Sequence, residues 1–180
     1  MRAVFRRLFP LMVISLLAAG CQSMGKTPQS GHFKAESFRQ TLIEAAWRVE
    51  QDLDISAMLS EAAITPEAAT IKFSPPAFPE GITYSLAPLK SDHSSDTLTM
   101  RMMLDKEKPM PDGYLAVACV LILLEAVEPG SSGDKWSQLE EITQSGGETV
   151  INGWTYKCLS EEGARNSAII FTVAAPTWPQ

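Results

Sequence analysis

Two residue types that do much of the chemistry in proteins are scarce here: the chain of 180 residues has two histidines and three cysteines. Zinc sites are built from clusters of three or four such ligands, and no His-based signature for one is present. Also missing are Cys-x-x-Cys, Gly-x-Ser-x-Gly, a phosphate-binding glycine loop and a calcium loop. The short motifs that mark thiol redox centres, serine hydrolases and nucleotide-binding sites are therefore not available. No apolar run reaches the ~20 residues that carry a helix across a bilayer. Cations are in the minority, 15 Lys and Arg against 21 Asp and Glu, which gives a formal charge of −6. An acidic surface repels phosphate backbones, so nucleic acid is not an expected partner.

What the chain does have is a patterned N-terminus. Arg2, Arg6 and Arg7 precede an uncharged stretch from Leu8 to Ala19, and Leu16-Leu17-Ala18-Ala19-Gly20-Cys21 closes it with small residues before a cysteine. The apolar part is too short to span and has the length of a cleaved signal segment. This segment resembles the signal peptide and lipobox of a bacterial lipoprotein, with Ala18 where the family more often has leucine. The resemblance covers residues 1–21 only. It implies that residues 1–20 are removed and that Cys21 is acylated and becomes the mature N-terminus. It also implies a membrane contact made through the lipid. Gln22 follows, where aspartate would favour the inner membrane, so the implied address is the cell outer membrane, facing the periplasm. The competing expectation is an ordinary secreted protein cut near Ala19, with Cys21 left free or bridged.

Gln22 to Gly31 is polar and carries Gly25, Pro28, Ser30 and Gly31, so residues 21–33 read as a flexible tether. Residues 34–180 have the length and apolar content of one globular periplasmic domain. Residues 1–20 hold three arginines and no acid, leaving −9 on the 160 residues that follow. The acids are dispersed, as on solvated faces, and fit either simple solubility or a cationic partner.

With Cys21 assigned to lipid, Cys119 and Cys158 remain, an even number in an oxidising compartment. A disulfide between them is the favoured expectation, and two buried free thiols are the alternative. Neither thiol is expected to bind metal.

Periodicity outlines the domain. Phe38, Leu42, Ala45, Val49 and Leu53 recur at three and four residues, which predicts an amphipathic helix from about Ala35 to Leu53, extensible to Ala62. Trp47 lies opposite that stripe and marks either a partner contact or a covered loop. Prolines then confine Thr70 to Phe73 and Ile82 to Leu86 to short or edge strands. Phe78, in the Pro-rich loop Pro75 to Gly81, is a second candidate partner contact, or else an anchor for its loop. Thr97 to Leu104 alternates as a half-buried strand. Tyr114 to Val127 is the most apolar stretch and allows a buried helix or a long central strand; its Leu and Ala content favours helix. Asp134 is placed as an N-cap for a helix from Trp136 to Thr143 that ends at Gly146-Gly147. Thr149 to Leu159 and Ala168 to Ala174 are expected to form a closing hairpin, with Asn152-Gly153 interrupting the first as a bulge or as a turn that leaves Trp154 to Leu159 as the hairpin arm. The whole predicts an α+β domain in which an N-terminal amphipathic helix and a buried central helix pack on an antiparallel sheet.

Asp92-His93-Ser94-Ser95-Asp96 holds the residue types of a catalytic triad, but adjacency in sequence does not build one. Ser132-Gly133-Asp134-Lys135 matches Ser-x-x-Lys without its companion motifs. Glu140 and Glu141, adjacent on a helix, point about 100° apart and do not flank one bond. No cofactor is implied. The function class that fits is a non-enzymatic lipoprotein with a binding, inhibitory or envelope-complex accessory role, meeting a protein partner in the envelope. The alternative is a small cell-envelope hydrolase, in which His93 is the first residue to test.

Overall fold

Alternation along β6, Thr97–Asp105, separates the two faces of the central sheet. Leu98, Met100, Met102 and Leu104 are buried, while Thr97, Thr99, Arg101 and Met103 point the other way and are only half-buried. The computed structural model describes residues 33–49, 58–74, 81–105, 113–164 and 166–176. Cys21, the signal segment and the tether as far as residue 32 lie outside the described residues, as do Phe78 and the predicted continuation of the first helix through Leu53. Phe33, expected to end the tether, instead pairs with Ser95 and belongs to the folded domain. The further extension of the first helix to Ala62 is not found, since residues 58–62 are not helical and Leu59 bridges to Phe73.

The described strands are β1 (Phe33–Lys34), β2 (Ala63–Ile64), β3 (Ala69–Phe73), β4 (Ile82–Leu86), β5 (Ser94–Ser95), β6, β7 (Gly147–Ile151), β8 (Trp154–Glu162) and β9 (Asn166–Ala174). Seven of them form one antiparallel sheet in the order β2-β3-β4-β6-β9-β8-β7, and β1 pairs with β5 in a small second sheet. Two meanders, β3-β4-β6 and β7-β8-β9, meet back to back where β6 pairs with β9 over nine residues.

The described helices are α1 (Phe38–Val49, led in by a tight turn over Ala35–Ser37), α2 (Gly113–Val127) and α3 (Ser132–Ser145). In α1 the predicted Phe38, Leu42 and Ala45 are buried, joined by Ala46, and Val49 is half-buried. The ambiguous apolar run is helical. Ala118 to Leu124 is buried at every position, because α1 and α3 flank α2 and the sheet lies beneath it. A helix so enclosed has no need of a polar face. The domain is therefore α+β, with the helices packed on the sheet as expected.

One boundary differs from the sequence pattern. The helix predicted from Trp136 starts one turn earlier, with Ser131 rather than Asp134 at its N-cap and no side-chain capping bond. Asp134 instead sits in the first turn, where its charge complements the helix dipole. Of the two expectations for Asn152-Gly153, the turn is the one found: it joins β7 to β8, and the strand that pairs with β9 starts at Trp154. Both turn residues have positive φ, 52° and 82°, the backbone of a tight two-residue hairpin.

Candidate functional site

The residues of the triad-like segment are used up in a turn. Asp92 Oδ1 accepts hydrogen bonds from the Ser94 amide at 3.1 Å and from Ser94 Oγ at 2.6 Å. These bonds hold the Asp92 carboxyl below the usual carboxylate range. His93 takes a left-handed backbone (φ 57°), and its amide closes the turn onto Lys90 O. Among the described residues its ring has no hydrogen-bond or ionic partner. Ser94 is buried and paired with Phe33–Lys34 through the small sheet, and Ser95 Oγ donates to Thr97 O. The serines, the histidine and the aspartate do not converge on a point where a substrate could sit.

Cys119 and Cys158 are free thiols, so the expected disulfide is corrected. Cys119 lies on α2 above β4, where Tyr84 Oη donates to its carbonyl at 3.0 Å. Cys158 is on β8, and β6 and β9 separate β4 from β8. Three strand spacings of about 4.8 Å put these two places ~14 Å apart. A disulfide needs Cα atoms within about 7 Å. Both cysteines do face the core, as the pattern indicated; facing one core is not the same as meeting in it. Burial pushes the Cys119 thiol up to about 12 and raises Cys158 as well, so neither is an activated nucleophile.

The Ser-x-x-Lys segment leads to a buried ionic cluster that the motif does not describe. Lys135 is buried, and its Nζ donates to Glu128 Oε2 in the α2–α3 connection rather than to Ser132. The ammonium also stands 5.6 Å from the centre of the Tyr156 ring, within cation–π range. Burial lowers the Lys135 pKa, and the carboxylates of Glu128 and Glu125 oppose the shift. Glu125, also buried, accepts from Arg48 Nε at 2.9 Å and from the Gly130 amide at 2.7 Å. Its charge thus caps the turn that reverses the chain between α2 and α3 and ties in the end of α1. Tyr156 Oη is buried without a hydrogen-bond partner among the described residues. Burial, and then the Glu128 charge, raise its pKa.

Sequence reasoning misses this cluster as a unit. A single acid, Glu125, inside an otherwise apolar helix is the available signal, since a buried carboxylate must be paired. The crevice near it, lined by Trp136, Thr143, Cys158 and the apolar side chains of α2, β6 and β9, has a volume of about 30 Å³. That is room for about one water, in apolar surroundings that do not favour one.

The remaining predicted contact residue, Trp47, is 57% exposed on the outer side of α1. The far side of the sheet is more extensive. Thr83, Ser85, Thr99, Thr172 and Thr155 line it, with Leu159 and Ile170 paired across β8 and β9. Thr99 and Thr172 share a hydrogen bond at 3.2 Å, and Arg101 spans β9 to reach Glu161 at 2.8 Å. No helix covers this face among the described residues. Comparison with protein-family models, with curated proteins and with solved structures finds no match.

Proposed function

We propose that this chain is a lipoprotein of the cell outer membrane, anchored through Cys21, whose periplasmic domain binds a protein partner of the envelope and performs no chemistry itself. The observation that supports this reading is the uncovered sheet. Among the described residues three helices pack on one face, while the other face and the β7 edge are left to solvent. Asp92 holds a turn, and Lys135, Glu128 and Glu125 hold the α2–α3 connection, so these four charged side chains have structural partners.

Two measurements test the proposal. Cys21→Ser should move the domain from the membrane fraction to the soluble periplasmic fraction; retention on the membrane overturns the lipid anchor. The lipidated protein should recover the same envelope protein from solubilised membranes at several salt concentrations. Failure to recover any overturns the binding role.

A further inference from the structure

The two edges of the sheet are treated differently. Along β3 the outer side is sealed throughout. Ala63 and Ile64 pair with Thr70 and Ala69, Leu59 bridges to Phe73, and the Ser60 amide donates to Lys72 O at 2.9 Å. Arg39 reinforces that seal by donating to the carbonyls of Ser60 and Leu59. At the other edge, β7 is paired only with β8 among the described strands. In a two-residue hairpin the residues flanking the turn exchange both backbone bonds, and the pattern then alternates. Ile151, Thr149 and Gly147 are thereby bonded inward, and the N–H and C=O groups of Glu148 and Val150 point outward. Nothing among the described residues bonds to them.

Among the described residues, the exposed charged side chains on α3 and β7 are all acidic, and Lys157 on β8 is the cation beside them. On α3, Trp136 and Thr143 face the crevice beside α2, and Lys135, Leu139 and Ile142 face the sheet. At about 100° per residue, Asp134, Gln138 and Glu141 fall on the remaining flank, the one beside β7. All three are exposed. On the opposite side of the strand Glu148 is exposed, with Lys157 at 3.9 Å as its neighbour, and Val150 is 62% exposed. No exposed Lys or Arg lies on α3 or β7.

We infer that the β7 edge accepts an extended basic segment of a partner protein as an eighth, antiparallel strand. This deepens the binding role proposed above and rests on it. Strand addition supplies affinity through main-chain bonds, and alternate side chains supply specificity. The residue opposite Val150 lies on its apolar side chain. The next faces the Asp134 and Glu141 flank, and the one after lies opposite Glu148. The order read by this edge is therefore apolar, basic, basic. A second copy of the chain fits poorly, because it brings the same acids to the same edge.

The probe is a synthetic peptide with valine-lysine-lysine at its centre and threonines on both sides, titrated into the full mature domain. Saturable shifts of the Glu148 and Val150 amide resonances are expected, with amide exchange at both slowed at least about tenfold at saturation. Asp134→Lys combined with Glu141→Lys, both exposed positions, should weaken binding at least tenfold. Val150→Pro, which removes an outward N–H at an edge that tolerates proline, should abolish it. Absence of shifts at millimolar peptide overturns the inference. Equal binding of a peptide with glutamates in place of the lysines does so too, as do shifts centred on Thr99 and Thr172. In the envelope, recovery of the same partner by the Asp134→Lys, Glu141→Lys variant overturns the edge and leaves the binding role standing. Recovery of no partner by the unaltered protein overturns both.

Discussion

Tyr84 on β4 donates its hydroxyl to the carbonyl oxygen of Cys119 on α2 at 3.0 Å, in a part of the core where both residues are inaccessible to solvent. The bond links sheet to helix at the place that holds Cys119 away from Cys158. Tyr156, equally buried on β8, has no such partner among the described residues. Two tyrosines in one core thus stand on opposite sides of the hydrogen-bond balance.

Tyr84→Phe should therefore destabilise the domain by about 0.5–1.5 kcal/mol, the usual net worth of a hydrogen bond. Tyr156→Phe should be neutral or stabilising, since it removes a desolvated hydroxyl that gains nothing. Urea unfolding of the two variants side by side checks the contrast, and equal losses would contradict it.

The buried cations and carboxylates predict a second contrast. Glu125→Ala leaves the Gly130 amide and Arg48 without their acceptor and should cost roughly 2–4 kcal/mol. Glu125→Gln keeps an acceptor oxygen and should cost less. Melting temperatures of the two variants measure the difference, which should vanish if Glu125 were merely a solvated residue of its helix.

Both core cysteines should resist alkylation in the native protein and react once it is unfolded. Their count in denaturant should be the same with and without prior reduction. A count that rises by two on reduction would restore the bridge and overturn the placement of Cys119 over β4.

Alkali should destabilise the domain. Cys119, Cys158, Tyr84 and Tyr156 all have pKa values raised by burial. Their contributions are fully present below the unfolded values, about 8.5 for cysteine and 10 for tyrosine, and are lost as pH climbs through the folded ones. Each contributes a slope of up to about 1.4 kcal/mol per pH unit in its window. Lys135 acts with the opposite sign, because its lowered pKa makes the unfolded chain the better proton binder just below the ordinary lysine range. The net expectation is a fall in stability beginning near pH 9, made shallower by Cys119→Ala. Stability measured by urea unfolding from pH 7 to 11 checks it.

Asn152-Gly153 and its contact predict a local effect. A side chain at Gly153, where φ is +82°, would also stand 3.3 Å from Pro176 Cγ. Gly153→Ala should cost about 1–2 kcal/mol through backbone strain. An unchanged unfolding midpoint would show that the hairpin tip can relax.

Elements with strong periodicity are legible in the amino-acid pattern alone: the α1 stripe, the alternation of β6, and the limits of β4, which match residue for residue. The apolar run of α2 is decided by its surroundings, since a segment buried on every side erases the period that would identify it. The disulfide expectation fails for a related reason. Alternation reports which face a residue occupies and says nothing about which strand lies beneath it, so Cys119 and Cys158 cannot be placed without the strand order. The Lys135 cluster is hidden because its members come from α1, α2, α3 and β8, and only Glu125 breaks a local rule.

The junction of β6 and β9 has a kinetic meaning. Each meander is built from neighbours in sequence, but the ladder between the two joins residues 61 apart at one end, Asp105 to Asn166, and 77 apart at the other, Thr97 to Ala174. Closing loops of that size is slow relative to forming hairpins. The two halves are thus expected to take shape separately, with their union governing the folding rate. Substitutions in the Met100–Phe171 pair should slow folding, and those in the β7–β8 turn should chiefly speed unfolding.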